Sequence, residues 1–352
     1  MGRLEEVIKK IEPLDVEAMK LAGERQDSLT KPQGSLGMLE ELSIKLAGIQ
    51  RTPRPTIEKK VIFTLAGDHG VVEEGVSAYP QEVTPQMVYN FLHGGAAINV
   101  LARHAGARVV VVDMGVAADI QAEGCVNKKV AYGTRNIARE PAMTREQAVE
   151  AIEAGIEVFE EEFRQRGVDL AGVGDMGIGN TTPSAAICAA ITGKAPEEVT
   201  GRGTGIGEEA WRRKVAVVKR ALRVNRPNAS DAIDVLAKVG GFEIAGIAGI
   251  ILASAAHRVA VLIDGFIATA GALIAGELAP LARDYMLASH LSQEAGHRAM
   301  LEHLSLRPLL NLNLRLGEGT GAALAMHIVE ASVRIINEMA TFAEAGVSER
   351  VE

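Results

Sequence analysis

Short β-branched runs that end at glycine beside Asp or His constrain this fold most strongly. Strands are predicted at residues 60–66, 108–113, 168–173 and 258–263. Segments with apolar residues at helical spacing separate these runs, and this order predicts parallel crossover units. Because ligands bind beyond the carboxyl ends of the strands in open parallel sheets, we expect the functional residues at that edge.

The two ends of the chain are predicted to be helical, since apolar residues recur every three or four positions in residues 16–49 and residues 320–340 form one long helical pattern. Helices without a sheet partner must bury their apolar stripes against each other. We therefore predict a large α/β domain at residues 31–332 and a small helical domain from residues 1–30 together with 333–352.

Capping residues predict where two internal helices begin. Thr84 and Pro85 resemble an N-cap and a first helical residue, which predicts one helix reaching about His104. Thr144 and Gln147 form a capping box that predicts a second helix.

Composition excludes several functional classes. The net charge of −8 argues against a nucleic-acid partner, which would need a basic face. Cys125 and Cys188 have no Cys or His at metal-ligand spacing, so neither disulfides nor a metal site is expected.

Residues 244–279 are apolar but interrupted by polar and charged side chains, which predicts buried helix, strand and helix rather than a membrane span. The charged N-terminus lacks the apolar run of a signal peptide, so we expect a cytoplasmic protein.

A glycine-rich stretch at residues 172–182 follows a predicted strand and opens a helix, where backbone N–H groups can receive a phosphate. Its first residues also match G-x-G-x-x-G, so a nicotinamide-dependent dehydrogenase is a competing interpretation. A dehydrogenase would need an acidic residue at the end of the next strand, whereas Glu197 and Glu198 lie at a predicted helix start. A tight turn without a ligand is the remaining alternative.

A second glycine-rich loop, residues 201–207, precedes Lys214 by about two helical turns, so Lys214 could reach a phosphate. The alternative is a mobile surface loop followed by a solvated basic helix face at residues 211–223.

Asp68 and His69 lie at the end of the first predicted strand, where the two could serve as metal ligands or as an acid–base pair of a hydrolase. No third ligand stands at suitable spacing. A histidine hydrogen-bonded to its own loop is the simpler interpretation.

Glu318 stands between two glycines just before the last helix. The glycines let the backbone approach a ligand closely and leave Glu318 as the functional side chain of the turn. The alternative role is stabilisation of the positive end of the helix dipole.

Seven motifs in this order resemble those of the nicotinate-nucleotide:dimethylbenzimidazole phosphoribosyltransferase family, and they cover nearly the whole chain. They are LTKPQGSLG at residues 29–37, AGDHGV at 66–71, VS at 76–77, YPQ at 79–81, QMV at 86–88, GIGNTT at 177–182 and GEGTGA at 317–322. Asp175 departs from the family pattern, which more often has Glu there.

The resemblance implies a Rossmann-like, mostly parallel sheet flanked by helices, with the small helical domain built from both termini. It also implies a homodimer that uses no metal and no cofactor. Its substrates would be nicotinate mononucleotide and a benzimidazole-type base, with neither nucleic acid nor membrane as a partner.

The same likeness assigns roles to individual residues. Glu318 resembles the family's general base. Residues that resemble the nucleotide and phosphate site are Asp175, Gly177, Ile178, Gly179, Asn180, Thr181, Thr182, Gly203, Lys214, Asp264, Gly265, Ser292, Arg315 and Gly317. Residues that resemble the walls of the base pocket are Ser77, Tyr79, Gln86 and Leu316.

Overall fold

The computed structural model describes residues 2–348 of the 352-residue chain. Within this part, one six-stranded, fully parallel sheet lies at the centre, and its strand order is β3-β2-β1-β4-β5-β6. The strands are β1 Lys60–Gly67, β2 Arg108–Gly115, β3 Cys125–Asn127, β4 Leu170–Met176, β5 Ala260–Ile263 and β6 Met286–Ala288. The prediction of a Rossmann-like α/β fold is confirmed.

The helices cover both faces and one end of this sheet. They are α1 Arg3–Lys9, α2 Val16–Ser28, α3 Met38–Gln50, α4 Val83–Leu92, α5 Ala97–Ala105, α6 Arg145–Arg166, α7 Thr181–Thr192, α8 Pro196–Val199, α9 Glu208–Asn225, α10 Ala232–Val239, α11 Phe242–Ala256, α12 Phe266–Leu278, α13 His297–Leu304, α14 Thr320–Glu338 and α15 Phe342–Ala345. The capping box predicted at the start of α6 is confirmed, because Gln147 N donates to Thr144 Oγ1 at 3.2 Å.

The central strand β1 is buried on both faces. Leu65 points toward α11, beside Gly246, whereas Thr64 donates to the Glu318 carbonyl on the other face at 2.9 Å. Alternation along the strand therefore places α11 and the start of α14 on opposite sides of the sheet. The apolar segment 244–279 forms buried helix, strand and helix, as predicted.

Strand order determines where a ligand can enter. From β1 the chain proceeds outward to β2 and β3, and then crosses back to place β4 on the other side of β1. The loops after β1 and β4 consequently leave the sheet in opposite directions and open a crevice between them. This crevice is the topological switch point at which doubly wound sheets bind ligands.

The helix predicted from Thr84 to His104 is wrong in two respects. It is two helices, α4 and α5, because Gly94 adopts a left-handed φ of +77° and ends the first. Thr84 is also not the N-cap, since α4 begins at Val83. Instead, Thr84 Oγ1 accepts a hydrogen bond from Ile178 N at 3.0 Å and so ties α4 to the glycine-rich loop after β4.

The chain ends contact each other through α2 and α14. Arg25 Nε donates to the Ile336 carbonyl at 2.6 Å, and Leu29 forms an isolated β-bridge with Thr341. Helix α1, by contrast, contacts the large layer, where Arg3 pairs with α6. The division into residues 31–332 and the two termini therefore stays a prediction, and its residues 1 and 349–352 lie outside the described part.

Candidate active site

A cavity of about 480 Å³ occupies the switch point beyond the carboxyl ends of the strands. Loops after β1, β4, β5 and β6, the loop before α9 and the turn before α14 form its walls. Most of the predicted site residues line it: Ser77, Tyr79, Asp175, Gly177, Ile178, Gly179, Asn180, Thr181, Gly203, Gly265, Ser292, Arg315, Leu316, Gly317 and Glu318.

Four predicted residues do not line this cavity. Gln86 is exposed on α4, and Thr182 is buried in the first turn of α7. Lys214 and Asp264 are buried directly behind the cavity wall.

The glycines of β4 let the turn that carries Glu318 come close to the sheet. A β-carbon at Gly174 would overlap Gly319 N and the Glu318 backbone, and one at Gly172 would lie 3.1 Å from Ala322 Cβ. Both glycines lie inside the strand, whereas a dinucleotide fingerprint places its first glycine in the turn after a strand. Glu197 is in the short helix α8, so the acidic residue that a dehydrogenase requires is not at a strand end. The geometry therefore disfavours the dehydrogenase interpretation.

The loop from Gly177 to Thr181 lines the cavity at the start of α7. A β-carbon at Gly177 would overlap the Gly67 carbonyl, so only glycine allows this loop to cross the end of β1. Asn180 is the N-cap residue of α7, and its side-chain amide donates to Asp175 Oδ2 at 2.8 Å. Such a helix start can hold a phosphate.

Glu318 is 5% exposed and lines the cavity. Its backbone adopts a left-handed φ of +65°, and its N–H donates to the Asp175 carbonyl at 3.1 Å. The Glu318 Oε2 atom accepts from Ile98 N at 3.3 Å, in the first turn of α5. Burial, with repulsion from Asp264, raises the pKa of Glu318 above its usual range.

Asp264 accepts hydrogen bonds from the backbone N–H groups at the start of α14. Its carboxylate accepts from Gly319 N at 3.0 Å, from Gly321 N at 2.7 Å and from Ala322 N at 3.3 Å. Asp264, rather than Glu318, therefore stabilises the positive end of the α14 helix dipole. Its hydrogen bond to Gly319 N also holds the turn that carries Glu318 in place.

Asp175 lies beside Glu318 at the floor of the cavity. Its Oδ1 atom is buried and accepts no hydrogen bond from any described residue. Burial, and next the negative charges of Asp264, Glu243 and Glu318, raise the pKa of Asp175 well above its usual range. In these surroundings the protonated carboxyl group is favoured relative to an exposed aspartate.

Lys214 is fully buried, so the solvated basic helix face that was considered for α9 is wrong at this residue. Its Nζ atom donates to Thr181 Oγ1 at 2.6 Å. Burial lowers the pKa of Lys214 to about 8, although the Glu294 carboxylate opposes this shift. The neighbouring residues Arg212 and Arg213 are exposed and pair along the helix with acidic residues four positions earlier.

His69 does not bind to its own loop but to Glu243 in the first turn of α11. Its Nε2 atom lies 2.7 Å from Glu243 Oε1, and both side chains are buried. Burial alone would lower the pKa of His69, but Glu243 and Asp68 raise it above its usual value. Neither Asp68 nor His69 lines the cavity, so the hydrolase interpretation has no support.

A chain of buried hydrogen bonds connects Ser292 with Gly265, which both line the cavity. Ser292 N donates to His297 Nδ1 at 2.8 Å, which places the proton of the neutral ring on Nε2. That nitrogen lies 2.9 Å from Thr269 Oγ1, which donates to the Gly265 carbonyl at 2.7 Å. Burial, with the nearby His290, lowers the pKa of His297 to about 3, so the ring stays neutral.

Sequence reasoning missed several residues that line the cavity. They are Val76, Val83, Met87, Met176, Thr204, Phe266, Ile267, His290 and Glu294. Val76, Met87 and Met176 lie within or next to the family motifs, but their apolar side chains give no chemical signal of a site. His290 and Glu294 follow β6, a three-residue strand too short for its periodicity to be recognised.

Among residues 2–348, no group of three His, Cys, Asp or Glu side chains could hold a metal ion, and no helix is long and apolar enough to cross a membrane. The strand order and the cavity together define a doubly wound α/β protein with its cavity at the switch point, where such proteins bind ligands.

Comparison with known proteins identifies the family. A family model described as phosphoribosyltransferase matches residues 11–347. The chain is 60% identical, over 99% of both chains, to nicotinate-nucleotide–dimethylbenzimidazole phosphoribosyltransferase of Desulforamulus reducens, and 59% identical, again over 99% of both, to that of Geobacter sulfurreducens. The crystal structure of CobT from Thermus thermophilus is 50% identical and superposes with a TM-score of 0.92, covering 95% of this chain and 100% of the other. The chain belongs to the nicotinate-nucleotide–dimethylbenzimidazole phosphoribosyltransferase family.

Proposed function

We propose that this protein transfers the phosphoribosyl group of nicotinate mononucleotide to 5,6-dimethylbenzimidazole or a related base. The products are α-ribazole 5′-phosphate and nicotinate, and the reaction belongs to the synthesis of the cobamide lower ligand. Full-length identity of about 60% to enzymes of this name supports the reaction. The structural observation that carries it is a buried carboxylate, Glu318, in the lining of a cavity that also includes the start of helix α7.

Glu318 is the proposed general base. A neutral benzimidazole attacks the ribose C1′ through one ring nitrogen while the other still bears a proton, so the product is a cation unless that proton is removed. The raised pKa of Glu318 makes it a stronger base than a solvent-exposed carboxylate. Nicotinate leaves readily because it is bound to the sugar as a pyridinium. Attack from the opposite face converts the β-glycosidic bond to an α bond.

The remaining protein groups align the two substrates, which lowers the barrier by fixing their separation and orientation. We assign the nucleotide phosphate to the loop at Gly177–Thr181, with Lys214 behind Thr181. Gly203, Gly265, Ser292, Arg315 and Gly317 form the adjoining walls of the nucleotide site.

The base occupies the apolar side of the cavity. Ser77, Tyr79 and Leu316 stand at its mouth, and Met87 and Met176 contribute the apolar surface further in. A single methyl group changes binding in such a pocket by only about 1–3 kcal/mol, so we expect several related bases to react.

A homodimer in the cytoplasm is the proposed working form. Tyr79 and Leu316 are 55% and 57% exposed at the mouth of the cavity, and burying these large side chains against a partner subunit would favour association. Closed two-fold dimers are the commonest oligomers. Light scattering at micromolar concentration should give twice the chain mass, and a fully active monomer would contradict the dimer.

Product analysis tests the reaction directly. The protein is incubated with nicotinate mononucleotide and a panel of benzimidazoles, phenols and adenine, and mass spectrometry follows the formation of α-riboside phosphates. Nicotinate riboside serves as the matched substrate without the phosphate and should react far more slowly. Absence of any α-riboside phosphate, together with NAD-dependent hydride transfer, would refute the proposal in favour of a dehydrogenase.

A further inference from the structure

Glu294 lies in the loop after β6, is almost completely buried and lines the cavity. Its Oε1 atom accepts a hydrogen bond from Gly203 N at 2.9 Å. Its Oε2 atom is buried and has no hydrogen-bond partner in the described part of the chain. Burying a carboxylate with one oxygen unpartnered is costly, so its position calls for a functional explanation.

The backbone of Gly203 is hydrogen-bonded on both sides, through its N–H and through its carbonyl. Glu294 accepts from its N–H, and Arg315 Nη1 donates to its carbonyl at 2.9 Å. Room for this contact comes from Gly201, because a β-carbon there would overlap Glu294 Oε2. Two side chains from distant segments therefore fix the two peptide groups that flank Gly203 in the loop at residues 201–207.

This loop lies directly over the proposed phosphate-binding pair. A β-carbon at Gly203 would lie 2.8 Å from Thr181 Oγ1 and 3.0 Å from Lys214 Nζ. Gly203 has a left-handed φ of +51°, which also favours glycine. The ammonium group of Lys214 is consequently enclosed by Gly203 on one side and Thr181 on the other.

An enclosed ammonium group needs a nearby negative charge to stay protonated. Glu294 is the charged group that acts on Lys214 from outside α9, since Thr181 on α7 is neutral and Arg315 is engaged with the Gly203 carbonyl. Without Glu294, burial would lower the pKa of Lys214 further below about 8.

We propose that Glu294 is a positioning residue for the nucleotide phosphate: it fixes the Gly203 peptide over the Thr181–Lys214 pair and keeps the lysine charged. The proposal rests on the proposed function, because it takes this pair as part of the phosphate site. Glu294 itself repels the dianion and does not bind it, so it acts through the glycine loop and the lysine.

The variant Glu294→Gln keeps the acceptor for Gly203 N and removes the charge. We expect the preference for nicotinate mononucleotide over nicotinate riboside, measured as a ratio of kcat/KM values, to fall about tenfold or more, because a contact to a charged group is weakened. KM for the nucleotide should rise, KM for the base should not change, and the alkaline limb of nucleotide kcat/KM should move to lower pH.

Glu302→Gln is the matched control, since Glu302 is an exposed glutamate of α13 in the next element along the chain. It should leave the ratio and the pH profile at wild-type values. A merely structural role for Glu294 would lower the melting temperature and scale all rates alike without changing the ratio.

Lys214→Met separates failure of this proposal from failure of the proposed function. If Lys214→Met keeps the full preference for the nucleotide, the assignment of the phosphate site is wrong. If Lys214→Met loses that preference while Glu294→Gln keeps the wild-type ratio and alkaline limb, the role of Glu294 is refuted. Should Glu294→Gln not fold, Glu294→Asp decides: its shorter side chain should lose contact with Gly203 and lower the ratio, and an unchanged ratio overturns the proposal.

Discussion

Replacing Glu318 by glutamine removes a proton acceptor while leaving the shape of the site almost unchanged. The amide has the same size and can still accept from Ile98 N, where the carboxylate oxygen lies at 3.3 Å. Loss of a general base typically slows a reaction about 10²- to 10⁴-fold, which is about 2.7–5.4 kcal/mol of transition-state stabilisation. Weakening the hydrogen bond to α5 would cost only about 0.5–1.5 kcal/mol of folding stability.

Electrostatics decide the sign of the stability effect. The pKa of Glu318 is raised in the folded protein, so its proton stabilises the fold at low pH and that stabilisation is lost as the pH rises through the folded pKa. Glutamine does not suffer this loss. We therefore expect Glu318→Gln to melt at or slightly above the wild-type temperature at neutral pH, which separates it from an ordinary destabilised variant.

Steady-state rates and thermal melting of Glu318→Gln test this reasoning together. The KM for nicotinate mononucleotide should stay near the wild-type value while kcat falls by a factor of about 100 or more. Turnover per folded molecule close to that of wild type would remove Glu318 from the mechanism.

The pH profile gives an independent check. The wild-type rate should fall as pH drops through the raised pKa of Glu318, because the protonated carboxyl cannot accept the proton of the base. This acidic limb should therefore lie above the usual range for glutamate, and it should disappear in Glu318→Gln. A limb that survives the substitution would identify another group, with Asp175 the first to test.

Three further predictions concern the surroundings of the site. Asp175→Asn should flatten the loss of unfolding free energy as the pH rises through the raised folded-state pKa of the wild-type carboxyl, because the proton that stabilises the wild-type fold is lost there. Denaturant titrations in which wild type and variant show parallel pH dependence would contradict this. Gly174→Ala should lower the free energy of unfolding by about 1–3 kcal/mol and remove most of the activity, since its β-carbon overlaps the Glu318 turn. In the control Gly23→Ala, in α2, the nearest atom to the new β-carbon lies at 3.9 Å, so this variant should melt no lower than wild type. His69→Asn should cost about 3–5 kcal/mol by leaving the buried Glu243 carboxylate without its imidazole partner, and adding Glu243→Gln should recover part of that loss. Strict additivity in the double-mutant cycle would show that the pair is not coupled.

The sequence by itself determined the features that local chemistry controls. Apolar periodicity identified four of the six strands that the described residues form, and a capping box located the start of α6 within one residue. The order of strand, glycine-rich loop and helix after residue 170 was recognisable because this signal is contained in consecutive residues; its role as an anion site stays a prediction. Motif order then identified the family.

Tertiary structure decided which side chains meet, because each pairing joins segments far apart in the chain. Glu318 finds its hydrogen-bond donor at Ile98, 220 residues earlier, and His69 finds Glu243, 174 residues later. No local pattern distinguishes a solvated Lys214 from a buried one, since its exposure depends on where the Gly203 loop comes to lie. Burial and neighbouring charge set the pKa values at this site, and both exist only once the parallel strands bring their carboxyl ends to one edge of the sheet.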